Sequence, residues 1–171
     1  MKISVTGLGK AGLPLAAVIA DAGIEVLGID LDSKKVDMLN KGLNPIEEEP
    51  GLKELIKKHG GKNLKATTDA VNAVKQSNAH IVIVPLFIDG RKKPDLSILK
   101  KAFESLSKGL KKNDVVVLET TVPVGTTENL IKNILEKGSG LKVGIDFYLA
   151  YSPERIMTGY SISRYREFPK V

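Results

Sequence analysis

Lys2-Ile3-Ser4-Val5-Thr6-Gly7-Leu8-Gly9-Lys10-Ala11-Gly12-Leu13-Pro14-Leu15-Ala16-Ala17-Val18-Ile19-Ala20 decides the fold of this chain. The first five residues read as a short strand, the glycines as a G-x-G-x-x-G, and the apolar run after them as a helix. In such a turn Gly7 permits the sharp reversal, Gly9 lets a pyrophosphate approach the backbone, and Gly12 lets the helix close onto the strand. The amino end of the helix offers unpaired N–H groups and a positive dipole end to the phosphates. A second strand, Glu25 to Ile29, ends in Asp30, 18 positions after Gly12 and close to the spacing of roughly 20 for the acid that accepts ribose hydroxyls. A carboxylate there can accept from both hydroxyls and repels a 2′-phosphate, which points to NAD rather than NADP. Two such glycines could arise from the chemistry of a bare strand–helix turn, but the third glycine together with the acid argues for a ligand.

The chain has 171 residues, 42% hydrophobic and 27% charged, which suits one soluble globular domain. No apolar stretch approaches the roughly 20 residues of a membrane span, and the first residues do not read as a signal peptide. Without cysteine, disulfides, thiolate metal sites and a cysteine nucleophile are excluded, and cytoplasm is the expected compartment. No metal site is expected. The net charge of +6 comes from scattered pairs such as Lys34-Lys35, Lys57-Lys58 and Lys111-Lys112. No aromatics interleave with them, so a solvated lysine-rich surface is favoured over a nucleic-acid patch.

Strand and helix alternate along the rest. Helices are expected over Ser33–Lys41, with Asp32 or Ser33 as cap, over Pro50–Lys58, Asp69–Lys75, Asp95–Lys108 and Gly125–Lys137. Strands are expected over Leu64–Thr67, His80–Pro85, Asp114–Glu119 and Phe147–Tyr151, nearly all apolar, as buried parallel strands are. This alternation predicts an α/β fold, a doubly wound, Rossmann-like parallel sheet in a single domain over residues 1–160. Residues 161–171 lack clear periodicity and are expected to form an exposed or loosely packed tail. His59 and His80 show no partners in the sequence, and neither is given a role. Ligands of such a sheet bind at the carboxyl ends of its strands. Gly7–Gly12, Asp30, Pro85-Leu86-Phe87, Thr120–Gly125 and Ser152–Gly159 all fall there.

Taken together, the fingerprint continued by Leu13-Pro14-Leu15-Ala16, Gly28-Ile29-Asp30-x-Asp32-x-x-Lys35-Val36, Leu39-Asn40-x-Gly42-x-x-Pro45-Ile46-x-Glu48, Thr121-Val122-Pro123-Val124-Gly125-Thr126-Thr127 and Tyr151-Ser152-Pro153-Glu154-Arg155 resemble the UDP-glucose/GDP-mannose dehydrogenase family. The resemblance implies oxidation of a sugar C6 alcohol through an aldehyde to a carboxylate, with two NAD+ reduced. It also implies a cysteine nucleophile in a later domain, so the chain is expected to be an amino-terminal cofactor domain, inactive alone. The full-length protein is expected to be a homodimer through a central domain, with a UDP-sugar as its small-molecule partner and neither nucleic acid nor membrane.

By the same resemblance Gly7, Leu8, Gly9, Lys10, Ala11, Gly12, Asp30, Lys35, Val84, Pro85, Leu86 and Thr121 would hold the cofactor. Lys35 would lie near the adenosine phosphate or ribose. Thr121 and Glu154 would be catalytic, Thr121 beside the nicotinamide and a water, Glu154 as general base for thioester hydrolysis. Glu154, Arg155 and Ile156 would meet the substrate. Structural alternatives exist for each: a threonine bonded to its own backbone, an acid at a helix start, a solvated lysine. Two departures stand out. Leu86 replaces a hydroxyl the family commonly has on the nicotinamide side, and Thr158 replaces a second glutamate of the UDP-glucose branch. Ser152-Pro153-Glu154-Arg155 is similar to the branch that oxidises UDP-N-acetylhexosamines, UDP-N-acetyl-mannosamine above all. UDP-glucose oxidation, a non-catalytic NAD-binding module and a β-hydroxyacid dehydrogenase relative are the other readings.

Overall fold

The computed structural model describes residues 1–167. Eight strands and seven α-helices follow one another as β1 Lys2–Thr6, α1 Gly12–Asp21, β2 Glu25–Ile29, α2 Ser33–Asn40, α3 Leu52–His59, β3 Leu64–Thr67, α4 Ala70–Lys75, β4 Ala79–Val82, β5 Phe87–Ile88, β6 Pro94–Asp95, α5 Ser97–Ser107, β7 Val115–Leu118, α6 Lys132–Ser139, β8 Tyr148–Tyr151 and α7 Ser161–Glu167. Six strands form one sheet in the order β3-β2-β1-β4-β7-β8, every neighbour parallel. The chain starts in the middle, winds outward to one side, returns, and winds outward to the other. Crossover helices therefore cover both faces, and a crevice opens at the carboxyl ends where β1 and β4 part. One core packs α1, α2 and α3 on β1–β3, through Leu13, Ala17, Leu39, Ile56 and Leu64. The other packs α4, α5 and α6 on β4 and β7, through Val74, Phe103, Leu106, Leu118 and Leu135.

Several expectations are corrected. Strand β4 stops at Val82, short of Pro85, because its register partner β1 ends at Thr6 and the chain must then turn past the glycine loop. Between β4 and α5 the sequence hides a two-residue antiparallel hairpin, β5 with β6. The helix expected from Gly125 begins as a π-helical turn, Thr126–Ile131, before α6. Helix α3 starts at Leu52 after a left-handed Gly51 rather than at Pro50. Asp32 does cap α2, accepting from the Lys34 and Lys35 amides.

The largest correction concerns the segment expected as a loose tail. Ser161–Glu167 is helical, buries Ser161 and Ile162 and packs on α1; residues 168–171 of that expectation lie outside the described residues. Its anchor comes from far back in the chain. The Glu49 carboxylate, 4% exposed, accepts from the Gly159 amide at 2.8 Å, the Ser161 hydroxyl at 2.9 Å and the Ile162 amide at 3.2 Å. It thus caps α7 in the way a local Ser or Asp would, with a full charge facing the helix's positive end. Farther along, the Arg166 guanidinium donates to Asp21 at the end of α1, at 2.7 Å.

Both histidines have partners. His59 lies between Asp21 and Asn63. His80 lies sealed in the sheet, Nδ1 2.8 Å from the Ser4 hydroxyl and Nε2 3.1 Å from the Asp114 carboxylate. Burial pushes the His80 imidazole below its ordinary range, against the pull of Asp114. The trio has the residue types of a hydrolase triad, but all three are buried and no substrate can reach them, so it ties β1, β4 and the start of β7 together.

Removing the remote cap should be costly. Glu49→Ala leaves two amides and a hydroxyl of the α7 entrance unpaired, and should lower unfolding free energy by about 2–3 kcal/mol in urea titrations, the scale for stranded buried polar groups. Acid should act on Asp21. Hydrogen bonds from Lys58 and His59, opposed by burial and helped by the charges of Lys58 and Arg166, lower its pKa from 3.8 to about 2. A group depressed on folding stabilises the fold fully above the higher value and loses that contribution as pH falls through the lower one. Asp21→Asn should therefore melt below the wild type at neutral pH, and the gap should close between pH 3.8 and about 2; a gap constant across that window would contradict the assignment.

Candidate functional site

The crevice is built around the turn after β1. Gly7 adopts φ +96°, and a Cβ there would stand 2.6 Å from the Ile83 carbonyl. At Gly12 a Cβ would collide with the Gly7 carbonyl and with the Ile83 side chain. Both positions need glycine because α1 rises directly out of the turn against β4. Gly9 differs, since a Cβ there would meet nothing within 4 Å. No protein packing requires its bareness, so the open space above it is where a ligand can touch backbone. No side chain caps α1 at Ala11; the Leu13 amide is taken by the Gly9 carbonyl and Pro14 has none, so the Gly12 amide is the first-turn donor left for a ligand in the crevice. Lys10, exposed, pairs with Glu48, while the Leu8 side chain is buried and only its backbone faces the turn.

Asp30 closes one side. Its Oδ2 accepts from the Leu8 amide at 2.9 Å and from the Lys35 ammonium at 3.0 Å, and its Oδ1 from the Asp32 amide at 3.0 Å. Burial would raise its pKa, but the Asp32 amide, Lys35 and the Leu8 amide outweigh that and hold it below the ordinary carboxylate range. The group is an anion locked to the fingerprint backbone. A carboxylate offers about four acceptor sites, so one remains on Oδ1, and a second appears if Lys35 moves aside. Lys35 is thus on the acid rather than in the open, while Lys10, the other lysine expected at the cofactor, is on Glu48.

On the other side of the crevice Val84 is buried, Pro85 exposed and Leu86 half-buried. The Thr120 hydroxyl donates to the Val84 carbonyl at 2.6 Å, tying the loops after β4 and β7, and Thr121 beside it is exposed. Strands β7 and β8 pair Leu118 with Tyr151, so Thr121 and Glu154 each follow their strand by the same number of residues. The Glu154 amide donates to the Glu119 carbonyl at 3.2 Å, and its Oε1 accepts from the Arg155 amide at 2.7 Å. Glu154 and Ile156 are half-buried and Arg155 is exposed.

The sequence reading missed the residues beneath this loop. The Tyr165 hydroxyl on α7 donates to the Ala11 carbonyl at 3.2 Å and also hydrogen-bonds the Glu154 carboxylate. The cofactor turn and the Glu154 loop therefore share one site. Glu119, an acid ending an otherwise apolar strand, was a usable signal. Glu49, in the run Glu47-Glu48-Glu49, was not, since such a run reads as solvated surface. Among the described residues no group of acids, histidines or cysteines is arranged to hold a metal ion.

The uncapped turn, the open face of Gly9 and the ionised Asp30 fit a dinucleotide, and comparison with known proteins agrees. The profile of the UDP-glucose/GDP-mannose dehydrogenase family, NAD binding domain, matches residues 1–171. A UDP-N-acetyl-D-mannosamine dehydrogenase of Pyrococcus horikoshii is 37% identical over 93% of this chain and 37% of its own length. A UDP-N-acetyl-D-glucosamine 6-dehydrogenase of Pseudomonas aeruginosa is 39% identical over 100% of this chain and 39% of its own. The crystal structure of an NDP-N-acetyl-D-galactosaminuronic acid dehydrogenase from Methanosarcina mazei superposes with a TM-score of 0.93 at 38% identity, covering 99% of this chain and 38% of that one. The chain thus spans well under half the length of these relatives.

Asp30 supplies the sharpest test of the site. Calorimetry should find NAD+ bound more tightly than NADP+. Asp30→Ala should weaken NAD+ by about 1–3 kcal/mol, the scale for charge-assisted hydrogen bonds, and should narrow the preference. Equal affinities of the native chain for both dinucleotides would refute the role of Asp30.

Proposed function

The chain belongs to the UDP-glucose/GDP-mannose dehydrogenase family as its NAD-binding domain, and from that premise we propose that it is the cofactor half of a nucleotide-sugar 6-dehydrogenase acting on a UDP-N-acetylhexosamine, UDP-N-acetyl-mannosamine above all. The observation that carries this reading is the shared site. A turn suited to pyrophosphate and a carboxylate on a neighbouring strand end are joined by a single hydroxyl. A mere nucleotide-binding module has no use for that second element. The names of the similar proteins support the substrate class, and Ser152-Pro153-Glu154-Arg155 with Thr158 supports the acetylhexosamine over the glucose branch.

NAD+ supplies the hydride acceptor. The protein's share is placement and proton handling. The amides of Gly9–Gly12 would hold the pyrophosphate, Asp30 would take the adenosine ribose and Lys35 the charge near it. Val84, Pro85 and Leu86 would border the nicotinamide, Leu86 as an apolar wall. Thr121 orients a water by its exposed hydroxyl. Glu154 takes a proton from that water when the acyl adduct is hydrolysed. Arg155 offers a planar fork to the substrate diphosphate, and Ile156 packs beside the sugar. The adduct itself needs a nucleophile, and since this chain holds no cysteine, the thiol comes from residues beyond it. We place the reaction in the cytoplasm, feeding uronic acid units to polysaccharide synthesis, in a protein that dimerises through a following domain.

The 171 residues alone should produce no NADH with any UDP-sugar, because Arg155 and Ile156 offer only one side of the substrate site and holding the alcohol at attack distance takes the family's further domains. Joined to the family's remaining domains they should turn over, with UDP-N-acetyl-mannosamine preferred to UDP-glucose. In that enzyme Glu154→Gln should slow hydrolysis and accumulate a covalent adduct visible by intact-mass spectrometry. Wild-type turnover without adduct would remove Glu154 from the mechanism, and NADH from the isolated chain would overturn the division of labour.

A further inference from the structure

Tyr165 places one phenol proton before two acceptors, the Ala11 carbonyl at 3.2 Å and the Glu154 carboxylate. Burial, and after it the charges of Glu154, Glu119 and Glu49, push the phenol far above its ordinary range, so the hydroxyl remains a donor at any working pH. The first acceptor matters for what it is bonded to. The Ala11 carbonyl shares a rigid peptide plane with the Gly12 amide, at the uncapped amino end of α1. Holding the carbonyl fixes where that amide points. The second acceptor lies on the loop after β8, which has its own tether at the Glu119 carbonyl. The helix bearing Tyr165 is held on both sides of that residue, at its start by Glu49 and at Arg166 by Asp21. The hydroxyl is therefore a fixed post between two loops, beside the bonds that the Leu15 amide makes to the Ala11 carbonyl and the Glu154 amide to the Glu119 carbonyl.

We propose that Tyr165 is a positioning residue whose hydroxyl couples the dinucleotide-binding turn at Ala11 to the orientation of the Glu154 carboxylate. The importance of that coupling for turnover rests on the role given to Glu154 above; the coupling itself does not. A ligand that orders the turn orders Glu154, and by linkage an ordered Glu154 favours the ligand to the same degree. With both acceptors satisfied by one proton, a shift of the Ala11 carbonyl redistributes the hydrogen bond toward or away from Glu154.

Carbon-13 NMR of the 171-residue chain labelled at glutamate Cδ and tyrosine Cζ tests this with ADP-ribose, which fills the turn but carries no nicotinamide to touch Glu154 directly. In the wild type the Glu154 and Tyr165 signals should move together with one midpoint. In Tyr165→Phe, which keeps the ring and loses the hydroxyl, ADP-ribose should still bind while the Glu154 response falls by more than half. An undiminished response in that variant overturns the proposal. So do wild-type signals that stay still at saturation, a criterion that holds even if the variant fails to fold. Turnover of Glu154→Gln judges the other reading separately. Intact coupling with a dispensable Glu154 sinks the catalytic role alone, and an essential Glu154 without coupling sinks the proposal alone.

Discussion

The structure depends on how closely α1 approaches the sheet where β1 ends. There is no room for a single carbon at Gly12 between the helix, the Gly7 carbonyl and Ile83, and none at Gly7 beside the Ile83 carbonyl. That contact starts the helix immediately above the central strand, with its amino end facing the crevice rather than buried against a loop. It also presses Leu13, Ala16, Ala17 and Ala20 into the core, where small residues let the helix lie low. Burial on the order of 25 cal/mol per Å² of apolar surface secures the helix, and its open end is left for a ligand. The position of every other group in the crevice is measured from that end. Asp30 is bonded to the Leu8 amide, and Tyr165 to the Ala11 carbonyl.

A second constraint is a charge in the interior. Burying a carboxylate is costly unless donors replace water, and Glu49 receives three of them from the entrance of α7. The arrangement works in both directions. The seven helical residues described are too few to stand alone in water; the carboxylate, without them, would lose its three donors. Each makes the other tenable, and together they bring Tyr165 to the crevice.

These two constraints explain what could be read from the sequence. Strands β1, β2 and β3, the cap at Asp32 and the fingerprint with Asp30 are written in contiguous residues whose period and spacing carry the message, and all were legible. The hairpin β5–β6 was not, because two-residue strands have no period and Pro94 argues against a strand. Nor was the π-helical turn, since one extra residue in a helical turn leaves no mark on the pattern. The end of β4 is set by the length of β1 beside it rather than by its own apolar run. The roles of His59, His80, Glu49 and Tyr165 depend on partners between 4 and 154 positions away. Isolated in the sequence, each looked like surface or packing.

The division between legible and hidden follows the chemistry. Grasping a pyrophosphate takes backbone amides and the absence of side chains, which one short segment can encode. Moving a proton takes a carboxylate in a chosen state, which only its surroundings can decide. Three acids surround Tyr165, and their settings separate them. Glu49 is sealed and spends its lone pairs on the α7 entrance. Glu119 is buried, and its backbone carbonyl steadies the Glu154 amide. Glu154 alone of the three is half-exposed, on a loop beside the crevice. A base must meet its proton donor, so of the three acids Glu154 is the one whose setting supports the base role proposed for it, with the phenol between it and the other two.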